Sequence, residues 1–477
     1  MTKRVAIIGT GPSSWSVFEA LSTQDNACSI TIIDAGKRFS PETAKNFDSG
    51  QKGKFGSNHM YDTDGSLLSF SGQSNFSMAH GGFSTVWGAG IRLWPEESIS
   101  CSGVDSSLVY DEAKKLLIKM HYSGDRATLN FPENYSIEGK ANPPGSYLAS
   151  KITRESSRDR LKIFPTALAV NTEGVNGCRG CGQCLSGCPY NSIFDSGIEF
   201  DHAINQQKCD YITGIVETIN ESDYSVGIRY VTTSGEIETN NFDEVYLCAG
   251  AVGTPAILMR SGYLQPQIEV ADSQVFYFIG LKPPNMNKQK QFALSQATLI
   301  SDEVATNEFS ASLYLSNKEV RERISNLIAS KLFGLRIPIP ILVDRFLFLG
   351  IGFLDSENSG KIVLRLAETE NKIYVSSKPN PNSKILIRRA LKSISRRLRR
   401  NALFVFSGIS VIPDPGEGFH SGASLTLGGE FVDETGILRN SERIHVSDVS
   451  ILPFIKPGAH TFTSMAINAA VIQRVTK

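Results

Sequence analysis

The sequence predicts an α/β chain: a Rossmann-like dinucleotide-binding domain assembled from discontinuous segments, together with an α+β second domain built on an antiparallel sheet. Three observations point there. Residues 5–8 form an apolar strand that runs into Gly9 and Gly11 and then into a helical stretch over 14–21. Residues 244–247 repeat the pattern, entering a second glycine turn and helix at 249–262. Beyond them, residues 263–410 hold alternating strand patterns and a basic helix, the texture of a separate unit.

The opening turn follows an anion-binding logic. Gly9 permits the sharp turn off the strand, Gly11 lets the backbone approach a pyrophosphate, and Ser14 is small enough for the helix to pack on the strand. The helix N-terminus then faces the negative charge. A following strand over 29–33 ends at Asp34, 25 residues after Gly9, where an acid can hydrogen-bond a ribose hydroxyl. Taken alone, this unit leaves NAD and FAD equally open.

At 477 residues the chain exceeds one typical core, so two or three structural units are expected. Lys+Arg and Asp+Glu both total 48, so no net field selects nucleic acid, which is not expected as a partner. The first apolar run stops at Gly9, short of the roughly 7–15 residues of a secretory signal. No stretch approaches the about 20 apolar residues of a spanning helix. A cytoplasmic location is expected.

After Asp34 a polar passage to about residue 77 is expected to lie over the cofactor as loop and short helix. Residues 79–90 then concentrate small side chains around His80, Gly81, Gly82, Ser84 and Trp87. Such density implies close backbone approach to a ligand or another chain segment. Residues 101–170 alternate helical patterns with Pro-bearing loops and read as an excursion into the second domain. Over 211–247 the texture becomes β before the second glycine turn, which carries Ala249 and Gly250.

Several of these segments, in this order, resemble the glucose-methanol-choline (GMC) flavin oxidoreductases. They are Gly9-x-Gly11-x-x-Ser14, Gly81-Gly82-x-Ser84 with Trp87-Gly88, the turn from Ala249 to Pro255, His420-Ser421-Gly422-Ala423, and the run from Val446 to Pro453 followed by His460. The resemblance implies FAD and a small-molecule substrate carrying a hydroxyl group. It implies that the Gly81 loop passes the pyrophosphate and flavin, that Asp448 and the residues after it contact the flavin, and that His420 and His460 face the flavin and the substrate hydroxyl. Independently of the family, hydride leaves an alcohol carbon only as the hydroxyl proton departs, and a neutral imidazole suits that proton. His445, in an alternating strand, is expected to be structural. Some relatives attach the flavin through a His in the glycine-rich loop; Val86 stands at the aligned place, so non-covalent FAD is expected, with His80 as the exception to check.

Four of the eight cysteines, Cys178, Cys181, Cys184 and Cys188, fall within eleven residues and precede Pro189. The spacing C-x2-C-x2-C-x3-C-P resembles bacterial ferredoxins and implies an iron-sulfur cluster, 4Fe-4S or 3Fe-4S. No second run supplies a cluster partner, so Cys188 must turn back or a distant Cys101 or Cys209 must complete the set. Zinc and an empty loop remain alternatives, although zinc cysteine pairs are usually set further apart. A cluster would favour a dehydrogenase that passes single electrons to a protein or quinone.

The helix expected over 384–400 is basic on one side and carries Ile387, Leu391, Ile394 and Leu398 on the other. It is read as packing on the substrate domain, with membrane-surface contact the less favoured reading. The apolar segment 337–353 is read as buried core, with a substrate entrance or membrane contact as alternatives.

The expected organisation is 1–100 and 195–262 as FAD-binding parts, 101–194 as an excursion bearing the cysteine loop, 263–410 as the substrate domain, and 411–477 as the last FAD-binding part with both histidines. The expected function is FAD-dependent oxidation of a hydroxyl group of an alcohol or sugar-like substrate. The alternatives are a ferredoxin-like flavin reductase and a non-catalytic relay or redox sensor.

Overall fold

The computed structural model describes residues 2–24, 28–36, 38, 68–70, 75–146, 148, 152, 161–286, 291–301, 308–331, 345–367, 369 and 371–475. In chain order the strands begin with β1 (Lys3–Ile8), β2 (Cys28–Asp34), β3 (Leu68–Phe70), β4 (Leu161–Pro165), β5 (Asp210–Glu221) and β6 (Val226–Thr232). There follow β7 (Ile237–Phe242), β8 (Glu244–Leu247), β9 (Gln267–Asp272), β10 (Val275–Leu281), β11 (Ala297–Ser301) and β12 (Phe309–Leu315). The last are β13 (Leu347–Leu354), β14 (Lys361–Ala367), β15 (Lys372–Lys378), β16 (Phe404–Val405), β17 (Ser421–Gly422) and β18 (Ile444–Val446). The helices are α1 (Pro12–Ser22), α2 (Glu96–Ser100), α3 (Ser106–Met120), α4 (Arg126–Leu129), α5 (Ser196–Asn205), α6 (Gly250–Arg260), α7 (Lys318–Lys331), α8 (Ser383–Arg399) and α9 (Thr461–Val475).

Among the described residues the first sheet has the order β18-β8-β1-β2-β5-β6-β7. Its first five strands are parallel, and β6 and β7 extend it antiparallel. Strands buried on both faces read as continuous apolar runs, and Val5, Ala6, Ile7 and Ile8 are all buried. The sheet draws strands from three distant parts of the chain, so the Rossmann-like domain is discontinuous, as the sequence predicts. Helix α1 packs against α9, and α9 against α3.

The second sheet, β16-β10-β13-β12-β11-β4, is antiparallel throughout. A third, β17-β9-β14-β15-β3, joins the two regions. In the second sheet, glycine faces phenylalanine in three cross-strand pairs: Phe276↔Gly352, Phe278↔Gly350 and Gly280↔Phe348. Each ring lies over the glycine opposite it, and a Cβ at Gly350 would meet the Phe278 ring at 2.0 Å. These rings share a core with Ile387, Leu391, Ile394 and Leu398 of α8. The apolar face of the basic helix formed by Ile387, Leu391, Ile394 and Leu398 is therefore covered by the substrate-domain sheet. No helix among the described residues is long and apolar enough to cross a membrane.

Of the apolar segment 337–353, the part from Leu347 onward is β13, in the core; residues 337–344 lie outside the described residues, as does most of the polar passage after Asp34. His445 sits in β18, buried and stacked on Tyr246 with ring centroids 4.3 Å apart, which is the structural role expected of it.

Because the Phe278 ring fills the space a side chain at 350 would need, Gly350→Val should overpack the sheet and cost about 1–3 kcal/mol. A denaturant titration should show the loss. Gly408→Ala, into open space, should leave the midpoint in place.

Candidate active site

The two glycine turns, the small-residue loop and the C-terminal histidines converge on one cavity of about 440 Å³. Gly9 leaves β1 with φ +106°, and a Cβ there would meet the Cys248 carbonyl oxygen at 2.6 Å, so only glycine passes. Gly11 precedes α1 and has open space in front of it, as an approaching pyrophosphate requires. Ser14 does not line the cavity; it is fully buried, its hydroxyl 3.4 Å from the Cys248 carbonyl, and packs α1 against the next segment.

A knot of hydroxyls holds three remote segments around the first turn. The Gly81 N–H donates to Thr10 Oγ1 at 2.8 Å, and Ser196 Oγ donates to the Thr10 carbonyl at 2.7 Å. Ser84 Oγ lies 2.6 Å from the Gly81 carbonyl and accepts from the Ser196 N–H at 3.0 Å. Asp195 caps α5 through the Gly197 N–H. Gly81 and Gly82 both have positive φ, and a Cβ on Gly82 would stand 3.1 Å from Gly11 Cα. Ser84 lines the cavity, but its hydroxyl is spent inside the knot. Trp87 lines the cavity and donates its indole N–H to the Phe194 carbonyl at 2.9 Å.

The second turn is fixed by Asp448. Its carboxylate accepts from the Gly250 N–H at 2.8 Å, from Thr254 Oγ1 at 2.5 Å and from the Ser450 N–H at 2.8 Å. Burial pushes this carboxyl above its ordinary range, against those hydrogen bonds. The carboxylate thus clamps the start of α6, with Ala249 and Gly250, to the C-terminal segment. The resemblance implied contact with a flavin; Asp448 lines the cavity, yet its carboxylate oxygens are occupied by this clamp.

At the other end, Asp34 ends β2 at the cavity wall and accepts from the Gly36 N–H at 2.9 Å. Behind it, His80 is buried, with Nε2 3.0 Å from the Gly197 carbonyl and Nδ1 3.2 Å from the Tyr211 hydroxyl. Burial alone would lower this imidazole, but Asp34 and Asp201 hold it above its ordinary value. Both ring nitrogens are engaged inside the protein. Beyond Asp34 the wall continues over Gly214, Ile215 and Val216 to Arg260, whose Nη2 donates to the Val216 carbonyl at 3.2 Å. Its Nε and Nη1 are buried without a hydrogen-bond partner, and burial pushes the guanidinium down to about 10.

The histidines meet on the far side. His420 is set by β17, where Ser421 Oγ donates to Asp272 Oδ1 at 2.9 Å and the Ser273 N–H donates to the His420 carbonyl at 2.8 Å. His460 immediately precedes α9, whose Ser464 N–H donates to its carbonyl at 2.9 Å. The rings lie edge to face with centroids 4.7 Å apart, and Phe353 stacks on His420 at 3.9 Å. Nδ1 of each ring is buried without a partner. Burial, then the charge of His460, pushes His420 well below its ordinary value; burial pushes His460 down to about 4. Both are therefore neutral proton acceptors at pH 7.

Over the histidines lies the inner face of the second sheet. One cross-strand row runs Phe164, Thr298, Ser312, Ile351, Tyr277, and the next runs Ile300, Ser310, Phe353, Val275. Every member of both rows lines the cavity.

The four cysteines line a separate small cavity with Val170, Ser192, Ile193 and Phe292. They do not form the ready ligand set that the spacing predicts: among the described residues no group of three or more His, Cys, Asp or Glu could hold a metal ion. Cys181 is exposed, while Cys184 is half-buried and desolvation pushes its thiol above its ordinary value. Neither Cys101 nor Cys209 lines this cavity. Sequence reasoning missed Thr10, Asp195, Ser196 and Arg260. Asp195 alone had a readable signal, as an N-cap before α5.

Residues 165–275 match a family model described as GMC oxidoreductase. No curated protein matches the chain. Among solved structures, pyridoxine 4-oxidase from Mesorbium loti is similar, with a TM-score of 0.60 and 14% identity over 99% of this chain and 99% of that one. The shared fold agrees with the expected architecture, and the family match over residues 165–275 supports the resemblance read from the motifs and the FAD that it implies. The glycine turns, the open approach at Gly11 and the unpartnered Arg260 fit that group.

Buried neutral histidines make the fold acid-sensitive. Unfolded, each binds its proton near pH 6.5; folded, burial pushes His460 and His445 down to about 4 and His420 well below its ordinary value. Their stabilisation is complete above pH 6.5 and is lost as pH falls toward 4, by about 1.4 kcal/mol per pH unit for each group. Denaturation midpoints at pH 7, 6 and 5 should fall in that order, and His445→Phe should flatten the slope. A midpoint independent of pH over this window would contradict the burial of the three rings.

Proposed function

We propose that this GMC-type FAD-dependent oxidoreductase oxidises a hydroxyl group of an alcohol or sugar-like substrate, with His420 as principal acid and base and His460 assisting. The observation that carries the reading is the pair of buried, neutral imidazoles, each with an unpartnered Nδ1, on the same cavity as both glycine turns. Both residues line the cavity, so a hydroxyl bound there meets an unprotonated imidazole.

FAD, when bound, supplies the two-electron acceptor for the hydride leaving the carbinol carbon. Gly9, Gly11 and the N-terminus of α1 would hold its pyrophosphate, Asp34 a ribose hydroxyl, and the donors of Arg260 its adenosine end. The protein's own chemistry is then a proton step: the hydroxyl O–H proton passes to His420 as the carbon–oxygen double bond forms. Phe353 stacked on one face of His420 and His460 at its edge fix the ring and keep water from it. The depressed affinity of both rings for protons keeps them unprotonated at neutral pH, ready to accept.

A second reading concerns where the electrons go. The C-x2-C-x2-C-x3-C-P spacing of the four cysteines, which the structure does not gather into a ligand set, supports an iron-sulfur exit to a protein or quinone acceptor. A cluster, when bound, supplies one-electron transfer. Anaerobically purified protein should then contain iron and acid-labile sulfide and show a cluster EPR signal on reduction. Iron well below one atom per chain would leave the cysteine loop as structure alone.

The hydroxyl-oxidation reading is tested by anaerobic flavin bleaching. His420→Ala should lower the bleaching rate with any active alcohol by roughly 100- to 10,000-fold, and His460→Ala should lower it less, with FAD content retained in both. Bleaching by His420→Ala at the unsubstituted rate would remove His420 from the chemistry.

A further inference from the structure

We propose that the exposed face of α8 is a docking surface for an anionic lipid bilayer, met through charge and not through insertion. The signal begins in the sequence. Residues 371–413 hold ten of the chain's 48 Lys and Arg residues and no Asp or Glu, although the whole chain carries no net charge. Within α8 these cations are ordered. Lys384, Arg388, Lys392 and Arg396 follow one another at i, i+4 steps, so they stand in one row, about 6 Å apart along the axis and about 18 Å from first to last. Arg389 and Arg399 flank the row, each three residues from one of its members, and all six side chains are exposed. Among the described residues none of the six is paired with a carboxylate.

Like charges at i, i+4 destabilise a helix. A row that costs folding stability, with no counter-charge from the described residues, points to a partner outside the chain. The other side of α8 is already used: Ile387, Leu391, Ile394 and Leu398 share a core with Phe276, Phe278 and Phe348, so these side chains are not available to enter a bilayer. Charge therefore selects the partner. Residues 384–400 include no Phe, Trp, Tyr or Met, the anchors in which protein interfaces are rich. Lys and Arg beside an anionic leaflet each add attraction without needing a shaped pocket. The placement agrees. Successive side chains of a strand face opposite sides, and Phe276 and Phe278 of β10 share the α8 core while Val275 and Tyr277 line the cavity. A bilayer under α8 leaves the cavity uncovered, whereas an acceptor protein seated there would be held from the cavity by the second sheet.

Co-sedimentation of the full FAD-loaded chain with lipid vesicles tests the assignment. Phosphatidylcholine vesicles carrying about one-third phosphatidylserine should sediment the protein in dilute buffer, and vesicles of phosphatidylcholine alone should not. Salt at about 1 M, where the Debye length falls to about 3 Å, should release it. Arg388→Gln, Lys392→Gln and Arg396→Gln each keep a good helix former. Each should lower the partition coefficient roughly 5-fold, and the triple variant roughly 100-fold, with far-UV circular dichroism and flavin content retained. Lys114→Gln, which removes an exposed cation on α3, should leave partitioning at the unsubstituted value. Three outcomes would overturn the inference: no sedimentation with the anionic vesicles, equal sedimentation with neutral ones, or a triple variant that partitions like the unsubstituted chain. Binding to a DNA duplex or to a poly-glutamate peptide in place of the vesicles would overturn it too, and would assign the row to a different polyanion.

Discussion

Everything in this protein depends on backbones approaching one another, and a cofactor, more closely than side chains permit. At the centre, Thr10 receives the Gly81 N–H on its hydroxyl and the Ser196 hydroxyl on its carbonyl, while Gly82 comes to within a Cβ contact of Gly11. Three segments separated by about seventy and more than a hundred residues are pinned there. A buried hydrogen bond contributes only about 1 kcal/mol net, but leaving one of its groups unpaired costs more. The knot therefore works by specificity: displacing any one segment strands polar groups that water cannot reach.

Asp448 does for the second turn what Thr10 does for the first. A carboxylate serving two backbone N–H groups and a hydroxyl fixes where α6 begins, and the same short C-terminal run positions His460 at the start of α9. The histidine pair is therefore tied to the cofactor-binding frame on one side. On the other, His420 reaches the second sheet through Phe353. The reactive position lies where the two frameworks meet, and burial there keeps both imidazoles neutral over the range in which an exposed histidine would be half charged.

The electrostatics of the cavity differ between its ends. The cofactor end holds unmatched polarity: the open turn at Gly11 and the two unpartnered nitrogens of Arg260. The sheet end has walls of hydroxyls and rings, with Lys456 paired to Glu308 and the Arg92 guanidinium bonded to neutral oxygens. An extended dinucleotide would bring charge and acceptors to the first end.

The discontinuous α/β fold, the glycine turns and both histidines were legible in the sequence, because each depends on local rules: a strand running into glycines at positive φ, or a motif whose residues stand close in the chain. The cysteine spacing was equally legible, yet spacing alone does not gather thiols, and the exposure of Cys181 and the half-burial of Cys184 were decided by how the loop packs. Only the tertiary structure turned Ser84 and Asp448 inward, to the knot and the clamp, and left Arg260 facing the cavity without a full set of partners. It also set Thr298 beside Ser312. Such pairings join residues far apart in sequence, so no local pattern encodes them; they follow from strand register and from the requirement that buried polar groups find partners.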